Sequence, residues 1–109
     1  TLLPPLDYQA MVYLLSRCTL VLTDSGGLQE EAPALGKPVL VLRARTERPE
    51  GLAAGCALLV GTRPQAIVSL TARLLSDPDA YRAMAQLRSP YGDGHAAERI
   101  VEVLHQCPA

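Results

Sequence analysis

At 109 residues the chain has room for at most one compact domain, and a hydrophobic share of 49% is enough for a buried core, which excludes a disordered tail. Phe and Trp are absent, so the core must be aliphatic, and a net charge of −1 offers no basic field for nucleic acid. Cys18, Cys56 and Cys107 are odd in number and share no C-x-x-C spacing, which speaks against zinc or a disulfide framework and for a reducing cytoplasm. No run reaches the ~20 apolar residues of a membrane span.

Pro4 and Pro5 end an extended entry, and Asp7 is a good N-cap for a helix from Tyr8 to Arg17. Met11, Leu14, Leu15 and Cys18 recur at helical spacing and predict one core face. Leu20-Val21-Leu22 reads as a buried parallel strand that stops at Thr23 and Asp24. Gly26-Gly27 is expected to make the turn into a short helix from Leu28 to Leu35, stopped by Gly36 and Pro38. Val39 to Leu42 predicts a second buried strand, followed by the polar loop "RARTERPEG", in which Pro49 opens a single helical turn that Gly55 closes.

Ala57 to Val60 predicts a third short strand. Thr62 and Gln65 are expected to form a capping box for a helix whose Ile67, Leu70, Leu74 and Leu75 face inward. Asp77-Pro78 restarts the chain as a helix with Tyr81, Met84 and Leu87 on its buried side, "SPYGDG" breaks it, and a last helix runs from about His95 to Leu104. Apolar strands alternating with helices mean an α/β fold, a parallel sheet with helices on its faces. Three strands make a thin sheet where a doubly wound domain commonly has about five or six. The chain also begins with Thr1 rather than Met, so it is expected to be the latter part of something longer, with an edge strand open to a partner.

The stretch "VLTDSGGLQEE" holds the clearest chemical signal. Ser25 is not a convincing nucleophile. The Asp-Ser-Gly-Gly string overlaps that of trypsin-like proteases, but those are all-β and need a histidine base, and His95 and His105 both lie far down a helical region. The Gly-x-Ser-x-Gly elbow fails because Thr23 stands where its first glycine belongs. A phosphate-binding loop has a mechanism instead: a strand runs into a helix whose first amides are unpaired and partly positive, and glycines let an anion approach. The alternative is a tight turn that needs glycine for geometry alone, with Ser25 as N-cap. Glu30 and Glu31 point about 100° apart on a helix, so they cannot face each other as a catalytic pair. One of them can look back over the loop toward a sugar, or either can simply favour the helix start. Arg48, in the loop after the second strand, opens at the same sheet edge and could meet the same anion; a surface pairing with Glu47 or Glu50 is the alternative.

"TDSGGLQEEAPALGKPVLVLRARTERPEG", "LVGT" and "PYGDGHAAERI", in this order and with these gaps, resemble the C-terminal part of the non-hydrolysing UDP-N-acetylglucosamine 2-epimerases over essentially the whole chain. The resemblance implies a C-terminal portion of a GT-B type two-domain enzyme, with Rossmann-like domains and an active site in the cleft between them. It implies interconversion of UDP-N-acetylglucosamine and UDP-N-acetylmannosamine without a redox cofactor or metal, by anti elimination of UDP and its re-addition. Ser25, Gly26 and Gly27 would contact the diphosphate, Glu31 the ribose hydroxyls, and Arg48 would sit near the UDP. Met11 stands where the family often has an aromatic residue near the nucleotide, and Ala44 where an aspartate is common.

The family's acid/base carboxylates and catalysis-linked histidine belong to segments before Thr1, so no catalytic residue is expected in this chain and the 109 residues alone are expected to be inactive. "SPYGDGHA" would cross back toward the N-terminal domain, making His95 a helix-start or interface residue. The resemblance further implies a cytoplasmic homodimer serving cell-surface polysaccharide biosynthesis. Two other readings stay open: the UDP-sugar-binding half of a GT-B glycosyltransferase or hydrolysing 2-epimerase, and a stand-alone binding domain.

Overall fold

The computed structural model describes residues 1–85 and 90–108. Its elements in chain order are α1 (Tyr8–Arg17), β1 (Val21–Thr23), α2 (Gly26–Ala34), β2 (Val39–Val41), α3 (Pro49–Ala54), β3 (Ala57–Leu59), α4 (Pro64–Ser76), α5 (Pro78–Ala85) and α6 (Ala96–Gln106). The strands form a three-stranded parallel sheet in the order β1-β2-β3, with Val21, Val39 and Ala57 in register. This is the parallel α/β arrangement the alternating pattern predicts.

Alternation along β2 decides which helices lie on which face, because successive side chains of a strand point to opposite sides. Val39 and Val41 join Leu15, Ala32 and Ala57 in one core, against which Met11, Cys18, Val21, Leu28 and Leu52 pack. Leu40 points the other way and joins Leu74 and Met84, with Leu20, Val60, Leu70 and Ala80 around them. The sheet therefore has α1, α2 and α3 on one face and α4 and α5 on the other. All three residues of β2 are fully buried, whereas β1 and β3 are edge strands here and leave Leu22, Leu58 and Leu59 exposed. The expectation that β1 is buried is thus corrected: Thr23 is, Leu22 is not. The strand also starts one residue later than expected, at Val21.

Several caps match the sequence. Asp7 Oδ1 accepts from the Ala10 amide at 2.8 Å. α2 ends in a Schellman motif: Gly36 sits at φ 71°, its amide bonds Pro33 O, and the Lys37 amide bonds Ala32 O. α3 ends the same way at Gly55 (φ 83°), where the Cys56 amide reaches Gly51 O. The Cys56 thiol, buried beneath this turn, also bonds Gly51 O at 3.5 Å, and burial raises its pKa. Cys18, Cys56 and Cys107 are all free thiols, the last exposed.

Other expectations fail for identifiable reasons. Thr62 and Gln65 form no capping box; Arg63 is the N-cap residue of α4, without a side-chain cap bond, and Pro64 opens the helix. A proline at the first position has no amide to satisfy, so less is left to cap. Leu14 and Leu75 are exposed, because α1 and α4 each turn a narrower stripe to the sheet than the spacing suggested. Met84 is buried and Tyr81 half-buried as expected, Tyr81 donating to Thr19 O at 2.6 Å; Leu87 lies outside the described residues. α6 buries no residue, and its Ile100, Val101, Val103 and Leu104 are all more than half exposed. No helix among the described residues is long and apolar enough to cross a membrane.

These caps make a prediction that separates pattern from structure. Asp7→Ala should cost about 1 kcal/mol by losing a side-chain cap. Thr62→Ala should stay within about 0.5 kcal/mol, as for a surface change away from any such feature. Denaturant unfolding of the two variants side by side checks both.

Candidate anion site at the carboxyl edge of the sheet

β1 and β2 are neighbours and parallel, so the segments that leave their carboxyl ends emerge side by side. The first carries Asp24 and Ser25 into α2; the second carries 42–48 into α3. This is the edge where open α/β sheets hold their ligands.

The first segment is pinned from below. Thr23 is buried, and its Oγ1 accepts from the Ser25 amide at 3.0 Å. Ser25 takes extended backbone angles (φ −78°, ψ 130°) and acts as N-cap, its Oγ accepting from Leu28 N at 3.4 Å. With the cap at Ser25, Gly26 and Gly27 become the first two residues of α2, not the turn before it. The expected start at Leu28 is corrected accordingly. Neither glycine has a positive φ, so the turn-geometry reason for them falls away. Among the described residues nothing accepts from the Gly26 or Gly27 amide, as the start of a helix dictates.

Arg48 lies across the gap from Gly26. A Cβ there would meet Arg48 Nη2 at 3.4 Å and Cζ at 3.5 Å, ordinary van der Waals contact, so the flat guanidinium lies alongside that residue. Arg48 Nε donates to Glu30 Oε1 at 2.6 Å. Gly26 and Glu30 are four residues apart and share one face of α2, along which the guanidinium lies. A guanidinium has five N–H donors; Glu30 takes the one on Nε, which leaves the Nη groups directed over the start of the helix. The surface pairing of Arg48 with Glu47 or Glu50 is not what forms; Glu47 pairs with Arg43 instead.

Arg48 is held at its backbone as well. Its amide donates to Thr46 Oγ1 at 3.0 Å, and the Thr46 hydroxyl in turn donates to Gln29 Oε1 at 2.5 Å. Gln29 is 2% exposed and Thr46 half-buried, so this link is partly sheltered from water. The Arg48 carbonyl accepts from Tyr91 Oη at 3.2 Å, and Tyr91 Oη in turn accepts from Gly51 N at 2.9 Å. Gln29, Thr46 and Tyr91 were not legible as site residues. Gln29 was hidden in an acidic helix start, and Tyr91 lies 40 residues from its partner Gly51.

The remaining candidates are placed apart from this cluster. Glu31 is half-buried on the neighbouring face of α2, in line with Gly27, and has no partner among the described residues. Met11 packs against the same core cluster as Leu28. His95 begins α6, and its Nδ1 lies 2.7 Å from Glu98 Oε2, as a helix-start residue should. Among the described residues no group of three His, Cys, Asp or Glu side chains could hold a metal ion.

Comparison with known proteins places this architecture. A family model described as UDP-N-acetylglucosamine 2-epimerase matches residues 1–105. The chain belongs to the UDP-N-acetylglucosamine 2-epimerase family. It is 54% identical over 103 residues to the UDP-N-acetylglucosamine 2-epimerase of Yersinia pestis, covering 94% of this chain and 27% of that protein. The enzyme of the same name from Escherichia coli K12 is also 54% identical, with the same coverage. The crystal structure of the Neisseria meningitidis UDP-GlcNAc 2-epimerase, bound to UDP-GlcNAc, superposes with a TM-score of 0.92 at 50% identity, covering 96% of this chain and 29% of that one. The chain thus spans little more than a quarter of its relatives' length, and its parallel sheet with flanking helices is a portion of their fold.

Two predictions follow the geometry. Gly26→Ala should leave stability unchanged or raise it by up to about 1 kcal/mol, since alanine is the better helix former. The guanidinium should stay in place, with the Arg48 Nε–H resonance unmoved, because the added Cβ meets it only at ordinary van der Waals distance. Desolvation, first, holds the Tyr91 hydroxyl above its ordinary pKa of 10.0; its bond from Gly51 opposes this, and negative charge at Glu50, Cys56 and Glu30 adds to it. A raised folded-state pKa means stability present below about pH 10 and lost as the pH rises through the folded value. An alkaline melting series should therefore fall less steeply for Tyr91→Phe than for the parent.

Proposed function

We propose that the chain is the C-terminal nucleotide-binding portion of an enzyme that interconverts UDP-N-acetylglucosamine and UDP-N-acetylmannosamine by eliminating and re-adding UDP. The observation that carries this reading is the Arg48 guanidinium, aimed by Glu30 over the unpaired amides at the start of α2. Backbone N–H groups, a serine hydroxyl and a guanidinium converging on one point suit a diphosphate. The Neisseria relative's binding of UDP-GlcNAc supports the same ligand class here.

In this reading Ser25, Gly26 and Gly27 contact the diphosphate and Arg48 adds charge and directional bonds. Glu31, one face round the helix and without a partner among the described residues, takes the ribose hydroxyls, and Met11 lies toward the uracil. UDP departs with negative charge developing on its phosphates, and fixed donors already oriented toward that charge lower the barrier without reorganising. This part of the enzyme supplies grip and charge stabilisation. Proton transfer at C2 falls to the rest of the longer protein, so the 109 residues alone bind without epimerising. Residues 90–96 would carry α6 toward the N-terminal domain, which would cover the exposed apolar side chains of that helix. The full-length protein is proposed to work in the cytoplasm as a homodimer, with no cofactor.

A titration of the isotope-labelled chain with UDP tests this. Amide shifts should concentrate at residues 25–31 and 46–51. Arg48→Ala should weaken UDP binding about 10- to 100-fold, the range for a lost hydrogen bond to a charged group. A folded chain whose spectrum does not move with UDP, or shifts confined to other loops, would sink the assignment.

A further inference from the structure

We propose that Tyr91 is a positioning residue for Arg48: its hydroxyl gives α3 the cap that a guanidinium cannot give, and by holding the Arg48 carbonyl it fixes the backbone from which the guanidinium reaches the anion site. The inference rests on the nucleotide reading above and deepens it. Arg48 is itself the N-cap residue of α3 and makes no side-chain cap bond. An N-cap side chain ordinarily accepts from the second or third helical amide, and a guanidinium has no acceptor with which to do so. Pro49, at the first position, has no amide, and Gly51, at the third, gives its own to Tyr91 Oη at 2.9 Å. The same hydroxyl donates to the Arg48 carbonyl at 3.2 Å. One phenol thus supplies the cap and fixes the backbone of the residue that cannot cap.

Gly51 is shaped to this contact. It is buried in α3, and a Cβ built on it would lie 2.9 Å from Tyr91 Oη, closer than real Cβ contacts, but 3.7 Å from Tyr91 Cζ. The oxygen, not the ring, occupies the space. The segment around "PYGDG" is thereby tied to the anion site, which lies more than 40 residues earlier in the chain.

The test is a double-mutant cycle in the full-length protein with Tyr91→Phe, Arg48→Ala and their combination, read by UDP affinity, melting temperature and hydrogen exchange of the Arg48 Nε–H. Tyr91→Phe should weaken UDP about three- to tenfold when Arg48 is present and not further when it is absent. It should also speed exchange of the Arg48 Nε–H from its bond to Glu30. Gly51→Ala should weaken UDP similarly, and Tyr91→Phe/Gly51→Ala should be no worse than Tyr91→Phe, because removing the oxygen removes the clash. Equal weakening in both Arg48 backgrounds would overturn the inference. So would a lower melting temperature with unchanged affinity and exchange. If the parent binds no UDP, the nucleotide reading fails by itself. The Arg48 Nε–H then decides the positioning role in ligand-free protein: faster exchange in Tyr91→Phe upholds it, and unchanged exchange overturns it.

Discussion

The site depends on one flat cation being laid along one face of a helix. Arg48 lies within van der Waals reach of Gly26, and it stays there because Glu30, one turn further along, takes its Nε–H. Both conditions follow from helical spacing, which puts residues four apart on the same face. The parallel pairing of β1 with β2 then brings the second loop within reach of the first helix.

The Glu30–Arg48 pair contributes position more than stability. Both side chains are more than a third exposed, and ion pairs in that setting are worth at most about 1 kcal/mol. Its effect is directional, since the pair uses one edge of the guanidinium and presents another. The more buried links behave differently. Gln29, itself buried, is joined to a half-buried Thr46, so that bond is partly sheltered from solvent competition. Weak exposed contacts thus aim the charge, and more sheltered ones keep the backbone beneath it from drifting.

Much of this was readable from the chain. The three apolar runs gave three parallel strands within a residue of their ends, because a buried strand is continuous in its apolar residues and is bounded by glycine, proline and polar breaks. Asp7, Gly36 and Gly55 announced helix ends through chemistry local to each residue. Family membership was legible too, since it rests on ordered motifs and not on any single one. What escaped was either a matter of degree or non-local. Periodicity marks the centre of a buried stripe but not its width, so Leu14 and Leu75 were placed inside. The helical start of α2 escaped because a glycine pair after a serine suits a turn and a helix entry equally; the Ser25 cap and the absence of a positive φ at either glycine distinguish them. The roles of Thr46 and Tyr91 depend on partners 17 to 43 residues away, which no local pattern carries.

The Cys56 thiol lies under the turn that closes α3, bonded to the carbonyl of the residue whose amide meets Tyr91. A reagent can reach that sulfur only when the turn lifts, whereas Cys107 stands in solvent at the end of α6. The protein therefore carries a slow thiol, Cys56, and a fast one, Cys107, in the same chain, with half-buried Cys18 between them. The slow one is a clock for opening of the arm that presents Arg48, and the fast one is its internal reference.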